Sequence, residues 1–576
     1  MTTTLVSEQD AAAQPRAADD VVLRARDLTV SFTRAGQQHQ VVHSVSFELR
    51  RGECLAIVGE SGSGKSVTAR TLVGLTGAGA RVDAGELSLD VPGTTDRVDL
   101  AHTRESQWRR LRGRRIGFVL QDALVSLDPL RPVGNEIEEA LRLHGWGRRA
   151  DRRRKAIELL DSVGVPQPEQ RARQRPDELS GGLRQRALIA SALALDPKLI
   201  IADEPTTALD VTVQAQVLAL LADTKRRGVS QILISHDLSV VAELADQIAV
   251  MTNGRIVEAG TAEQVLRDPQ HPYTRRLLAA VPGPHTRGAR LSDLAPVTAQ
   301  RHPHHDDGDT GPVLEARGLV KRFPRPDGSV ATAVDNVSFT LERGQTLGIV
   351  GESGSGKSTT ARIALALSTP DAGEVRLVGR DWSRVSERRR RALRRRISVV
   401  YQDPLSSFDP RWNTERILLD ALPPGTPRAI RQSRVRELVE QVGLTDAVLQ
   451  RFPLTLSGGQ RQRIAIARAL APSPQILVLD EAVSALDVSV QAQILDLLDD
   501  LKRQLGLSYL FISHDLGVIS HMSDDVLVMK DGRVVEHGTV EQIFTAPEHA
   551  YTAELVGVTS VAARQHPESL TLTDAE

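Results

Sequence analysis

Short apolar runs punctuate this chain, and they come in two styles. From Val21 onward apolar and polar positions alternate, through Val22-Leu23-Arg24-Ala25 and Leu28-Thr29-Val30-Ser31-Phe32, and again over residues 41–49. Alternation of this kind predicts antiparallel strands with one covered face. The next runs are unbroken: Leu55-Ala56-Ile57-Val58, Ile116-Gly117-Phe118-Val119-Leu120 and Leu199-Ile200-Ile201-Ala202. Unbroken runs suit parallel strands covered on both faces. After Gln121 comes a charged, leucine-bearing stretch to about Leu179, whose spacing predicts helices with a polar outer face. Residues 248–258 read as a hairpin turning at Asn253-Gly254.

The whole order then recurs. After Pro312 come Leu314-Glu315-Ala316, residues 319–323, Val334-Asp335-Asn336-Val337-Ser338-Phe339, Leu347-Gly348-Ile349-Val350, Ile397-Ser398-Val399-Val400-Tyr401 and Ile476-Leu477-Val478-Leu479, with a second turn at Asp531-Gly532. An internal repeat of about half the chain predicts two copies of one α/β domain. The expected layout is a disordered N-terminus over residues 1–20 and a first domain over 21–281. A Pro/Gly/His/Asp-rich linker over 282–312, a second domain over 313–560 and a disordered tail over 561–576 complete it.

Bulk composition narrows the function classes. The chain has 576 residues, 40% hydrophobic and 25% charged, an ordinary soluble balance. Only 3% are aromatic, so the cores must be aliphatic. No apolar run approaches the ~20 residues of a membrane span, so any membrane role is expected to be peripheral. The first residues lack the basic start and apolar core of a secretion signal. A net charge of -1 argues against a general nucleic-acid binder. The single cysteine, Cys54, excludes intramolecular disulfides and cysteine-ligated iron–sulfur clusters, and fits a reducing cytoplasm.

The chemistry starts after the unbroken run at 55–58. Gly59-Glu60-Ser61-Gly62-Ser63-Gly64-Lys65-Ser66 is a glycine-rich turn between a strand and a helix, and Gly351-Glu352-Ser353-Gly354-Ser355-Gly356-Lys357-Ser358 repeats it. Such a turn aims backbone N–H groups at phosphate oxygens. Its lysine reaches the β/γ oxygens, and its serine hydroxyl can bind Mg²⁺. The following helix, opened by Lys-Ser and continuing through Val67 in one copy and Thr359 in the other, points its positive end at the anion. The words Ser180-Gly181-Gly182-Leu183 and Ser457-Gly458-Gly459-Gln460 each open a helix with free N–H groups. Asp203-Glu204 and Asp480-Glu481 lie at strand C-terminal ends, where ligands bind in such sheets. Ala208-Leu209-Asp210, Ala485-Leu486-Asp487, Ser235-His236-Asp237 and Ser513-His514-Asp515 follow.

Plainer readings stand beside these. The Asp-Glu pairs could be helix caps, the histidines packed core residues, and Phe32 and Phe323 ordinary core aromatics. The arginine-rich helices, with Arg109-Arg110 and Arg388-Arg389-Arg390-Arg391, read as solvated faces or as contacts to anionic lipid. His302, His304, His305, Asp306 and Asp307 read as a solvated tether or a metal site.

Taken in order and twice over, the set resembles the ATP-binding cassette family. That resemblance implies two P-loop NTPase cassettes, each with a RecA-like core, an antiparallel β subdomain and a helical subdomain. It implies ATP and Mg²⁺ as ligands, and two cassettes paired head to tail within one chain. In the first cassette Lys65 would hold the β/γ-phosphates, Ser66 and Gln121 would bind Mg²⁺, and Asp203 would orient it through water. Glu204 would polarise the attacking water, His236 would touch the γ-phosphate and Phe32 would stack on adenine. Gly59, Ser61, Gly62, Gly64 and Val67 would line that nucleotide, and Ser457, Gly458, Gly459 and Gln460 would complete its site from the other cassette. The second site would take Phe323, Gly351, Ser353, Gly354, Gly356, Lys357, Ser358, Thr359, Gln402, Asp480, Glu481 and His514, completed by Ser180, Gly181 and Gly182. Here the chain departs from the family pattern, since Leu183 stands where a glutamine is usual.

The loop words, the Ser-Gly-Gly-Leu-Arg-Gln-Arg variant and the distal His271-Pro272-Tyr273-Thr274 resemble the ATPases of dipeptide, oligopeptide and nickel importers; His549-Ala550-Tyr551-Thr552 stands at the close of the second half. This implies a motor at the cytoplasmic face of the cell membrane that drives two permease subunits fed by an extracytoplasmic binding protein, with no nucleic-acid partner. The helical stretches after Gln121 and Gln402 would grip the permeases. Peptides are the family-weighted cargo, with glutathione and nickel chelates open. A soluble tandem-cassette ATPase acting on ribosomes or DNA is the alternative from another class. The broken, Pro/Gly/His-rich linker fits it poorly, because such branches carry long charged helical inserts.

Overall fold

In a computed structural model of the chain, the described residues are 20–34, 36–77, 79–90, 97–121, 126–206, 209, 211–297, 311–324, 329–484 and 486–563. The histidines and aspartates at 302–307, most of the expected disordered ends, and Asp210 lie outside them.

The alternating runs at the start of the first half are one long strand, Val21–Arg34, rather than two. It pairs antiparallel with Gln37–Arg50, Leu23 opposite Leu49 and Val30 opposite Val42, with register shifts between Ala25 and Leu28 and again before Val30. The polar interruption is therefore a bulge. Asp27 takes a left-handed backbone (φ 51) and its N–H donates to the Ser46 hydroxyl. Ala80–Asp83, Glu86–Leu89 and Val98–Asp99 complete this five-stranded sheet.

The unbroken runs form a six-stranded sheet in the order Arg255–Thr261, Gln247–Thr252, Cys54–Val58, Ser230–Ser235, Leu199–Asp203, Ile116–Val119. All neighbours are parallel except the Arg255–Thr261 hairpin. Cys54–Val58, Leu199–Asp203 and Ser230–Ser235 are buried at every position, which explains why they carry no alternation. Helices Val133–Leu143, Arg149–Ser162 and Gly181–Leu193 form the helical region after Gln121. The second half repeats this plan with a four-stranded antiparallel sheet and a six-stranded sheet led by Thr346–Val350, Ile476–Asp480 and Ser508–Ile512.

The halves share one apolar core. A single cluster of buried residues holds Leu238, Val241 and Leu277 of the first half with Leu498, Leu516 and Ile519 of the second. The closing helix Ala550–Ala563 packs on the first-half helices Val211–Arg226 and Leu238–Leu244, and runs three residues past the expected domain end at 560.

Part of the expected linker is pinned. Leu291 is buried among core residues, and the N–H groups of Leu291 and Ser292 donate to the buried carboxylate of Asp496 (2.9 Å each). The Ser292 hydroxyl adds a third bond to Asp496 (2.6 Å), while the Arg290 guanidinium grips Asp500 at 3.0 and 3.1 Å. Residues 284–297 are thus a strap across the second half. Among the described residues, no helix is long and apolar enough to cross a membrane.

Candidate nucleotide sites

Each glycine-rich turn sits where the sequence puts it, between a buried strand and the helix it opens. Lys65 begins helix Lys65–Leu72, and Lys357 begins Lys357–Ala364. The turn is crowded from behind. A Cβ on Gly59 would lie 2.0 Å from the Met251 carbonyl oxygen, and on Gly351 it would lie 2.1 Å from that of Met529, so only glycine fits. The hairpin turns brace the loops from the same side: Gly254 N–H donates to Ser63 O (3.0 Å) and Gly532 N–H to Ser355 O (3.1 Å). The front is open, since a Cβ on Gly62 or Gly354 would meet nothing within 4 Å.

The lysines fold back on their own loops. Lys65 Nζ donates to Gly59 O (2.6 Å) and Glu60 O (2.7 Å), and Lys357 Nζ to Gly351 O and Glu352 O (2.7 Å each). Burial lowers the Lys65 pKa, against the pull of Glu204 and Asp487.

The strand-end carboxylates converge on the loops. Ser66 Oγ donates to Asp203 Oδ1 (2.9 Å) and Ser358 Oγ to Asp480 Oδ1 (3.2 Å). Burial pushes both aspartates up, the serine bonds opposing it. The other oxygen of Asp203 is buried without a partner. One residue on, Glu204 and Glu481 hold left-handed backbones (φ 50 and 51). Their N–H groups donate to Ile234 O and Ile512 O (2.9 Å each). Such a backbone on a non-glycine residue stores about 1 kcal/mol or more and is held by its surroundings. Here it turns each carboxylate out of the sheet.

Each glutamate is met from two sides. Gln121 Nε2 donates to Glu204 Oε2 (2.9 Å), and His236 Nδ1 lies 3.3 Å from the same oxygen. In the second half the distances are 2.8 Å for Gln402 to Glu481 and 3.6 Å for His514. Burial drives both histidines toward the neutral form, but the facing glutamate outweighs it and raises both pKa values. The His514 contact holds the Glu481 carboxyl below its ordinary range, burial opposing.

Of the remaining expected residues, Phe32 is partly buried in the antiparallel sheet, while Phe323 is 43% exposed with Lys321 Nζ 5.6 Å from its ring centroid. Val67 packs partly against the first-half core, and Thr359 is half-buried. Ser180 and Ser457 cap their helices, accepting from Leu183 N (3.4 Å) and Gln460 N (3.2 Å). The Gln460 side chain turns back to accept from Ser457 N (3.2 Å), a bond Leu183 cannot make.

The halves meet head to tail. Ser61 N–H donates to Asp487 Oδ2 (3.4 Å), and Thr212 Oγ1 donates to Glu352 Oε1 (2.9 Å), so each loop touches the start of a helix in the other half. Among the described residues these bonds run through the segments after the Asp-Glu strands, not through the Ser-Gly-Gly words.

Two phosphate loops facing across one interface, each backed by a buried parallel sheet, define a tandem P-loop NTPase. The ABC transporter family model matches residues 42–207 and 334–484, and the model of the oligopeptide/dipeptide transporter C-terminal region matches residues 257–308, across the strap. Glutathione import ATP-binding protein GsiA of Escherichia coli (strain K12) is 43% identical over 579 residues, 96% of this chain and 92% of that protein. The proteins of the same name from Shigella boydii and Salmonella typhimurium are each 43% identical over 577 residues, with the same coverage. This chain belongs to the ABC transporter family and is an ATPase of its fused, two-cassette form.

Proposed function

We propose that this chain is the ATP-driven motor of a membrane importer of short peptides, with the tripeptide glutathione the first substrate to test. The observation that carries the motor reading is the pair of cross-cassette bonds, one at each loop, Ser61 N–H to Asp487 and Thr212 hydroxyl to Glu352. Bonds of this kind make each loop sense whether the other cassette is closed. The direction and cargo rest on the C-terminal region that matches oligopeptide and dipeptide transporters and on relatives named for glutathione import.

ATP enters at the open front of each loop. Lys65 and Lys357 leave their carbonyl partners for the β/γ-phosphate oxygens, and Phe32 and Phe323 offer ring faces to adenine. The words at 180–182 and 457–460 supply N–H groups from the opposite cassette; a Cβ on Gly181 would meet nothing within 4 Å, so space for a ligand exists there. Ser66, Gln121 and Asp203 would hold Mg²⁺, as would Ser358, Gln402 and Asp480. The buried, unpartnered Asp203 oxygen fits a cation. When bound, the ion neutralises charge on the phosphate oxygens.

Glu204 and Glu481 orient the attacking water, each already positioned by a glutamine amide and a histidine. His236 and His514 then face the γ-phosphate. Tighter nucleotide binding by the closed pair shifts the population toward closure, and hydrolysis releases it. We infer that this cycle works two permease subunits at the cytoplasmic membrane face, fed by an extracytoplasmic binding protein. A cleft of about 800 Å³ beside helix Arg149–Ser162, lined by Ile157, Glu158, Asp161, Pro168, Gln170 and Arg173, lies in the region expected to grip them.

The test is uptake of labelled glutathione and of a labelled dipeptide by cells whose only copy carries Glu204→Gln and Glu481→Gln. Loss of either uptake, with the protein still at the membrane, supports the reading. Unchanged uptake of both overturns the cargo.

A further inference from the structure

The His-Pro-Tyr-Thr word and its repeat have no role in the cycle above, yet the structure carries both tyrosines to the phosphate loops. Tyr273 stands 213 residues from Glu60, and the Glu60 N–H donates to its hydroxyl oxygen at 3.2 Å. In the second half the Glu352 N–H donates to the Tyr551 hydroxyl at 3.1 Å, across 199 residues. Both rings are buried, 8% and 5% exposed, so each hydroxyl is the one polar tip of an apolar side chain and is aimed at the loop.

The placement is built from the sequence upward. Glu258, on the hairpin strand, accepts from the N–H groups of Gln270 (2.7 Å) and His271 (3.0 Å). His271 Nδ1 then accepts from Tyr273 N (3.2 Å), capping the helix that Pro272 opens. Glu536 and His549 repeat this at Tyr551. Two carboxylates and two caps thus fix where the tyrosines start.

What the hydroxyl holds is the second residue of the loop, whose peptide is bonded on both sides. Its N–H goes to the tyrosine, and its C=O accepts from the lysine ammonium. That lysine must let go when phosphate arrives. When it does, the Ser63 and Ser355 N–H groups still hold those carbonyls (3.2 and 3.1 Å), and the tyrosine still fixes the N–H on the other side of the residue. The neighbouring contact is the cross-cassette bond, Ser61 N–H to Asp487, or Glu352 Oε1 from Thr212. The post therefore stands between the C-terminal extension and the opposite cassette.

We propose that Tyr273 and Tyr551 are positioning residues that keep the phosphate loops in nucleotide-ready shape while the lysines change partners. The inference rests on the ATP-binding reading of the loops. A pre-shaped loop serves ground state and transition state alike, so loss of the hydroxyl raises KM without lowering kcat.

The test replaces each tyrosine by phenylalanine in the full chain, which keeps the ring. ATP affinity is measured directly with a fluorescent ATP analogue, beside steady-state ATPase kinetics. Tyr273→Phe and Tyr551→Phe are each expected to weaken binding and raise KM about three- to tenfold, the scale of one hydrogen bond, with kcat within about twofold. Unchanged affinity overturns the proposal, as does a fall in kcat at unchanged KM. Failure of the unaltered chain to bind the analogue overturns the ATP reading and this inference together. Independently of any variant, amide exchange in the nucleotide-free chain must find the Glu60 and Glu352 N–H groups protected; exchange as fast as in an unfolded peptide overturns the posts.

Discussion

The Thr212 hydroxyl of the first cassette donates a 2.9 Å hydrogen bond to the Glu352 carboxylate of the second. Glu352 is a phosphate-loop residue, and its N–H is held at the same time by Tyr551. One residue thus joins the loop, its own C-terminal extension and the opposite cassette. At the other loop a different bond, Ser61 N–H to Asp487, also crosses between the cassettes, so both loops are coupled to the opposite half.

Both sites carry a complete glutamate–histidine–glutamine set, so both are expected to turn over. Glu204→Gln and Glu481→Gln should each cut ATP hydrolysis by about 10² or more, the scale of losing a water-positioning group. ATP binding should survive, because each glutamate is held by a glutamine amide and a histidine rather than by the glycine-rich loop. Steady-state ATPase rates beside nucleotide-binding titrations check this, and full activity in either single variant would remove one site from the account.

The histidines give a pH signature. In the folded, nucleotide-free protein His236 and His514 titrate above the ordinary 6.5, because each faces a glutamate, with Asp237 or Asp515 adding to the pull and the loop lysine opposing it. A raised folded pKa contributes stability that is full below 6.5 and is lost as pH rises through the folded value. Glu481, lowered from 4.5, contributes stability that is present above that value and is lost as pH falls through its folded pKa. The pair is therefore strongest between the two. The difference in thermal midpoint between wild type and His514→Gln should be largest in that window and shrink on the alkaline side. A difference that grows with rising pH contradicts this.

Asp496 anchors the strap through three bonds to Leu291 and Ser292, and Arg290 holds Asp500 one turn on. Asp496→Ala leaves the buried Leu291 N–H without its partner, at about 1–3 kcal/mol, and frees the half-buried Ser292 N–H as well. Limited proteolysis is expected to cut within residues 284–297 of that variant much faster than in wild type. Equal cutting rates would mean that the strap is held elsewhere.

Leu183 breaks a capping box that Gln460 completes in the other cassette. Leu183→Gln should raise the stability of its helix by about 0.5–1 kcal/mol, read as a higher thermal midpoint.

Much of this was legible in the sequence, for identifiable reasons. The unbroken runs at 55–58 and 199–202 read as buried strands because both faces are covered. Asn253-Gly254 read as a hairpin turn because both residues take positive φ, 47 and 75. Other features were hidden. The break at Arg26-Asp27 looked like the end of a strand, but a side chain–backbone bond makes it a bulge. Asp496 and Asp500 carry no local sequence sign of burial, and only the strap's return makes them buried anchors. The Glu204 backbone, left-handed at φ 50, has no sequence signal, since glutamate does not favour it. Tyr273 and Glu60 meet through tertiary packing alone.

The central claim is that one chain closes both of its own ATP sites, head to tail. The most direct measurement places cysteines at Ser61 and Asp487, whose backbone N–H and carboxylate oxygen lie 3.4 Å apart, and treats the dilute protein with a short thiol cross-linker. A link within a single chain is expected, in high yield, at a protein concentration too low for dimers. Links found only between separate chains, or none in folded protein, would contradict it.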